Sequence, residues 1–403
     1  MKVSRRSLLR LSGLCASALT LAGCAGTGGS LLCGGIGRWF KGLLGGSSGA
    51  ASGGPEGAAS SAAPQEPDQS AAAALPEYDA DPLTGEARRS SGRMVGVMVN
   101  NISNSARQNA RPHRGIGSAD LLIESKVEGG ISRLCAVFHD AGEIPEVGPI
   151  RSGRDQFLQL LMPWQALYYH DGESIFCTQI VRQWEYWDLN IGGKSYFNTP
   201  THPQVAHRDS RGRDVAYEHT EFTSGTEIRQ AAANAGIGLE YPCEGTFFRF
   251  ADYRTGETNR MWNKGSGRSV EIVHSDHYKT AFTYDLLSQS YKMRMYSRAD
   301  QAFADTVDEL TGKQLSFANL LVCFAPIAAY PGDSADVQQV DFAAGGEAYF
   351  FTRGGVEAGR WEKPAPDQPL KAYGADGEEL LFNRGKTYLA LVDDEEWPDF
   401  RYQ

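Results

Sequence analysis

Between Glu124 and Asp155 the sequence brings the carboxylates Glu124 and Glu128, the guanidiniums Arg133, Arg151 and Arg154, and the hydroxyl of Ser152 close to apolar, strand-like runs. The arginine fork matches carboxylate, phosphate and sulfate, and the free N–H groups of a helix start attract the same anions. This set points to capture of an anionic group. The alternative is that the arginines pair with Glu124, Glu128 or Asp155 and brace the fold. His170 and His219 exchange protons near neutral pH, so either one beside Glu124 or Glu128 would make an acid–base pair for hydrolysis. His202, His207 and His219 share a segment with Arg208, Asp209 and Glu218, but their spacing pre-forms no metal site. No metal and no cofactor is expected. No Gly-x-Ser-x-Gly, HExxH or SxxK motif and no Cys–His nucleophile pair occurs.

Strands and short helices must position these groups. Met94 to Val99, Ala119 to Ser125 and Ile131 to Phe138 are apolar, strand-like runs, and Gly129-Gly130 between the last two suits a turn with positive φ. Ser152 is expected to cap a helix with Asp155 at its third position, and Pro163 to stop that helix near Met162. Ala166 to Tyr169 is a further strand ending in His170-Asp171-Gly172, where open α/β sheets place ligands. Ile175 to Trp187 reads as helix, and Ser224-Gly225-Thr226-Glu227 as a capping box opening another. Strands alternating with helices predict an α/β domain with a mixed sheet over 78–239. From 240 to 403 short strands and tight turns, among them Gly354-Gly355 and Asp376-Gly377, predict a β-rich antiparallel domain. Trp361 reads as core. His274, His277, Asp305 and Asp308 read as surface.

The N-terminus sets the compartment. Lys2, Arg5, Arg6 and Arg10 precede the apolar run Leu11 to Ala22, with the proportions of a signal peptide over 1–23. Leu21-Ala22-Gly23-Cys24 resembles the lipobox of bacterial lipoproteins, which implies a lipid on Cys24 and a membrane anchor outside the cytoplasm. Ser4-Arg5-Arg6-Ser7-Leu8-Leu9 suits twin-arginine export as well as Sec export. Residues 24–77 are dominated by Gly, Ser, Ala and Pro, the composition of a flexible tether. Formal charge is −10, and cleavage before Cys24 removes four cations and no acid. An acidic exterior argues against nucleic acid as the partner. Cys33, Cys135, Cys177, Cys243 and Cys323 fit no zinc or redox spacing, and no disulfide pairing follows from them.

Ala110-Arg111-Pro112, Val127-Glu128-Gly129-Gly130-Ile131-Ser132-Arg133 and Gly148-Pro149-Ile150-Arg151-Ser152-Gly153-Arg154-Asp155 resemble the YerB-like bacterial lipoproteins. Leu310 to Leu315, Asn319 to Val322, Gly354 to Trp361 and Asn383 to Thr387 extend the likeness through the second half. The resemblance implies two domains and lipoprotein status, and brings no established activity with it. Ala216-Tyr217-Glu218-His219 departs from the Ala-Pro-His-Asn-like stretch of that family: the histidine is kept, but Tyr217 and Glu218 replace its preceding neighbours. Three functions fit: a tethered protein holding an anionic wall ligand or small molecule, an envelope hydrolase with a Glu/His pair, and a non-catalytic adaptor for an envelope protein partner.

Overall fold

The strand Val95–Asn100 is apolar up to its final asparagine because both of its faces are covered. The computed structural model describes residues 79–403, apart from 193–195, 198–200, 203–204 and 299, and they lie in one unit, Glu66–Gln403. Its first part holds β1 (Val95–Asn100), β2 (Leu121–Lys126), β3 (Ser132–Phe138), α1 (Asp155–Leu161), β4 (Leu167–His170), α2 (Ile175–Trp184), β5 (Asp188–Asn190), β6 (His207–Arg208), β7 (Glu221–Phe222) and α3 (Gly225–Ala235). Strands then follow one another: β8 (Gly265–Ser266), β9 (Ser269–Ser275), β10 (Tyr278–Asp285), β11 (Ser290–Ser297), β12 (Ala302–Asp305), β13 (Ser316–Phe317) and β14 (Asn319–Ala325). The chain ends with β15 (Ile327–Ala329), β16 (Gln338–Val340), β17 (Gly346–Thr352), β18 (Gly355–Glu362), β19 (Lys371–Gly374), β20 (Thr387–Asp393) and β21 (Arg401–Tyr402).

A mixed sheet of 11 strands runs β19-β18-β17-β14-β20-β2-β3-β1-β4-β5, with β8 beside β18. A second sheet, β12-β11-β10-β9-β21 with β13 beside β11, is antiparallel. A mixed sheet in the N-terminal region and antiparallel sheets after it thus match the expectation in outline. One pairing goes beyond it: β20 lies parallel to both β2 and β14, so strands from before and after residue 240 share a sheet.

Period-two alternation sorts the large sheet's side chains between two cores. Leu122, Leu134, Val322, Tyr388 and Ala390 pack with Ile272, Phe282 and Met293 of the second sheet and with Ile228 of α3. Ile123, Cys135, Leu321, Leu389 and Leu391 pack with Phe157 and Leu161 of α1, Val181 of α2, and Trp361. Trp361 is core as expected, its Nε1 donating to the Phe324 carbonyl at 2.8 Å. Cys135, Cys177 and Cys323 are buried free thiols, and Cys243 is buried as well.

Gly129 and Gly130 take φ of 64° and 67°, as the β2–β3 turn requires. Ser224 caps α3 as its Ser-x-x-Glu pattern predicts, with Oγ accepting from Glu227 N–H at 3.4 Å. The expected cap at Ser152 does not form. Arg154 is the N-cap of α1, without a side-chain cap. The reason is local: Gly153 N–H donates to the Gly172 carbonyl at 2.8 Å, and the Tyr168 hydroxyl takes Arg154 N–H at 2.8 Å. The segment from Ser152 to Arg154 is therefore drawn along the end of β4. Helix α1 stops at Leu161, and Pro163 sits in the 3₁₀ turn that follows. Helix α2 ends at Trp184, short of the expected Trp187, because Glu185 turns left-handed ahead of β5.

Leu389 is fully buried on β20, paired with Ile123 on one side and Leu321 on the other. Leu389→Ala is expected to cost about 2–5 kcal/mol. Because β20 joins both regions, denaturant melts followed by tryptophan fluorescence and by circular dichroism should shift together, in a single transition.

Candidate functional site

Glu124 and Arg133 sit on neighbouring strands but on opposite faces, because Glu124 is opposite Leu134 and Ser125 is opposite Arg133. The expected cluster is therefore two clusters separated by the sheet. Glu124 points between the two sheets and is 1% exposed. Its Oε1 accepts from Ser132 Oγ at 2.5 Å and Asn101 Nδ2 at 3.3 Å. Its Oε2 accepts from Tyr388 OH at 2.7 Å and Thr280 Oγ1 at 2.8 Å, with His274 Nε2 at 3.6 Å. Burial alone would raise this carboxyl, but the charge of His274 and the bonds from His274, Ser132 and Tyr388 outweigh it and hold the pKa at about 2. Arg111 stands behind, its Nε donating to Asn101 Oδ1 at 2.9 Å. His274, expected at the surface, is fully buried here, and so is Asp308, which accepts from Gly117, Leu310 and Thr311 N–H groups.

The arginines gather on the other face. Arg154 Nε pairs with Glu128 Oε1, and Arg154 Nη1 donates to the Gly153 carbonyl at 2.7 Å. Arg151 Nη2 donates to Glu218 Oε2 at 3.1 Å, both side chains being about one-third exposed. Arg133, 7% exposed, donates to the Ser152 carbonyl at 2.5 Å, while its nearest carboxylate oxygen, Glu128 Oε2, is 3.9 Å away. Burial, with Arg154 and Arg151 nearby, pushes this guanidinium well below the usual arginine range. Ser152 thus serves the cluster through its carbonyl.

His170 and His219 are both fully buried, and neither hydrogen-bonds Glu124 or Glu128. His170 Nδ1 faces the Gly172 carbonyl at 2.8 Å and Nε2 faces Asp188 Oδ1 at 2.6 Å. Burial alone would lower its pKa, but the Asp188 carboxylate reverses that and raises it. His219 accepts at Nδ1 from Asn100 Nδ2 at 2.9 Å and meets Gln108 Oε1 through Nε2 at 3.0 Å. Burial lowers its pKa, so it stays neutral. The expected Glu/His acid–base pair is therefore not assembled. His207 bonds Glu227 and Glu146 instead of joining His219. His170 does gather a different set, Glu173 and Asp188, with one ligand atom from each within 4.8 Å of the others.

A carboxyl pair escaped the sequence reading. Glu221 lies against Asp171, and burial followed by that neighbour raises the Glu221 pKa to about 8. Arg208 Nη2 is 3.2 Å from Glu221 and 3.9 Å from Asp171. Asp171 carries the strand-end signal noted above. Nothing local marks Glu221, 50 positions further on.

The residues 83–238 match the model described as "Protein of unknown function (DUF3048) N-terminal domain", and 270–389 match its C-terminal counterpart. The chain belongs to the YerB-like lipoprotein family. It is 28% identical over 321 residues to the "Putative lipoprotein YerB" of Bacillus subtilis, covering 78% of this chain and 86% of that one. The crystal structure of YerB from Bacillus subtilis has the same fold, with a TM-score of 0.60 and 23% identity over 78% of this chain and 96% of that chain. Among the described residues no helix is long and apolar enough to cross a membrane. Cys24, the signal peptide and the tether lie outside the described residues.

Because Glu124 titrates lower in the folded chain than its usual 4.5, its contribution is full above pH 4.5 and is lost as pH falls through about 2. Glu124→Gln is expected to destabilise the chain by about 3 kcal/mol at pH 7. The difference from the native chain should shrink steadily in urea melts repeated below pH 4.5.

Proposed function

We propose that the chain is a lipid-anchored extracytoplasmic protein, tethered through Cys24, that binds an anionic envelope ligand at Arg133, Arg151 and Arg154. Arg133 carries the reading: a buried guanidinium with two other arginines beside it and no carboxylate within hydrogen-bond distance among the described residues. Three cations here face two carboxylates, Glu128 and Glu218. An incoming carboxylate or phosphate would take the place of the Glu218 carboxylate on Arg151 and approach Arg133. The part-exposed Arg151–Glu218 pair is the one that opens at least cost, since exposed ion pairs are worth about 0–1 kcal/mol. A cell-wall peptide with a free carboxylate and a teichoic phosphate both fit the compartment. The adaptor reading draws on the same ion pairs as bracing.

Hydrolysis remains as a second reading on different residues. Asp171 and Glu221 form a carboxyl pair in which Glu221 keeps its proton past neutral pH, with Arg208 alongside. A carboxyl that holds its proton past neutral pH is the kind of general acid that hydrolysis uses. Release of product from cell-wall fragments that stops in Glu221→Gln would establish it, and no turnover by the native chain removes it.

Arg151→Ala is expected to weaken binding of inorganic phosphate or a carboxylate-bearing wall peptide about 10- to 100-fold, the worth of a hydrogen bond between charged groups. Its melting temperature should stay within a few degrees of the native value, since the side chain is part-exposed. Calorimetric titration and thermal shift check both. A native chain that binds neither probe, or a variant that binds as well as native, contradicts the reading.

A further inference from the structure

His170, Glu173 and Asp188 come from three places: the end of β4, the residue before the Ser174 cap of α2, and the start of β5. Parallel pairing of β4 and β5 sets Tyr168 opposite Asp188 and His170 opposite Asn190, which puts the aspartate on the same face of the sheet as the histidine, two positions along. The three side chains each offer one ligand atom within 4.8 Å of the others. The Asp188 side chain is 3% exposed and His170 is fully buried.

Three observations make this more than an ion pair. Among the described residues, Asp188 Oδ2 and Glu173 Oε2 are buried oxygens without a hydrogen-bond partner. Glu173 Oε1 receives a long 3.5 Å contact from Asn190 Nδ2, with Cys177 and Thr178 of α2 also beside this carboxylate. Burying unpaired carboxylate oxygens is costly, and a fold keeps them where a cation completes the set. The imidazole is also oriented for ligation: its Nδ1 faces the Gly172 carbonyl at 2.8 Å, which turns Nε2 toward the two acids. A carbonyl or carboxylate on the second ring nitrogen is the usual support of a metal-bound histidine.

We propose that His170 Nε2, Glu173 and Asp188 bind one divalent transition-metal ion. One imidazole and two carboxylates are borderline-to-hard donors, which suits Zn²⁺ or Mn²⁺ and disfavours ions that seek sulfur. The ion replaces the proton shared between His170 Nε2 and Asp188 Oδ1. Glu173, the most accessible of the three, closes the set from the solvent side. The inference is independent of the arginine site.

The test titrates the full chain, stripped with chelator, with Zn²⁺, Mn²⁺ and Mg²⁺ by calorimetry, and with Co²⁺ by visible absorption. Native protein should take up one equivalent of Zn²⁺ and give a Co²⁺ d–d spectrum of low coordination number. Glu173→Gln, at a part-exposed position, should weaken Zn²⁺ at least 10-fold, and Asp188→Asn should do the same. Glu185→Gln, at the exposed end of α2, should leave binding unchanged. Absence of Zn²⁺ and Mn²⁺ binding by the native chain overturns the proposal. So does Zn²⁺ binding that survives in both Glu173→Gln and Asp188→Asn.

Discussion

A single buried carboxylate ties the molecule together. Glu124 belongs to β2, and its oxygens are held by Ser132 of β3, Tyr388 of β20 and Thr280 of β10, with His274 of β9 beside them. Those bonds link the centre of the large sheet to the second sheet, and link sequence from both sides of residue 240. A charge in this position is stable only because donors surround it. Its depressed pKa reports the same balance from the proton's side.

That anchor decides which groups are left for chemistry. With Glu124 and His274 enclosed between the sheets, the candidate groups nearer to solvent are Arg151 and Glu218, beside the arginine cluster, and Asp171 and Arg208, near the end of β4. Arg133 is directed there by strand alternation, Arg151 and Arg154 by the segment drawn along β4, and Asp171 and Glu173 by the turn after His170. Ligands of open α/β sheets are commonly met at such strand ends. Anion capture and the proposed metal set occupy adjoining stretches of this edge without sharing a residue.

Much of this layout was legible in the sequence, and the failures have physical causes. β1, β2 and β3 announced themselves because strands buried on both faces carry near-continuous apolar runs, interrupted here by few polar residues. The Ser224 cap was legible because its partner, Glu227, is three residues away. The Ser152 cap failed because its competitor, Tyr168, lies 14 residues further on and meets Arg154 only after folding. Grouping Glu124 with Arg133 ignored the register, which sets consecutive positions on opposite faces. His274 was legible in principle: Val270, Ile272 and His274 alternate on β9, so it follows two core residues inward. Asp188 had no local signal, since only the β4–β5 pairing carries it to His170. Glu221 likewise had no local signal, since only folding brings it to Asp171.

The most direct measurement is a crystal structure of the chain grown with a cell-wall peptide bearing a free carboxylate. The account predicts that carboxylate against the Arg133 and Arg151 guanidiniums, with Glu218 swung away from Arg151 and the Glu124 network unchanged. Arg151 still paired with Glu218, with the peptide bound at another surface, would contradict it.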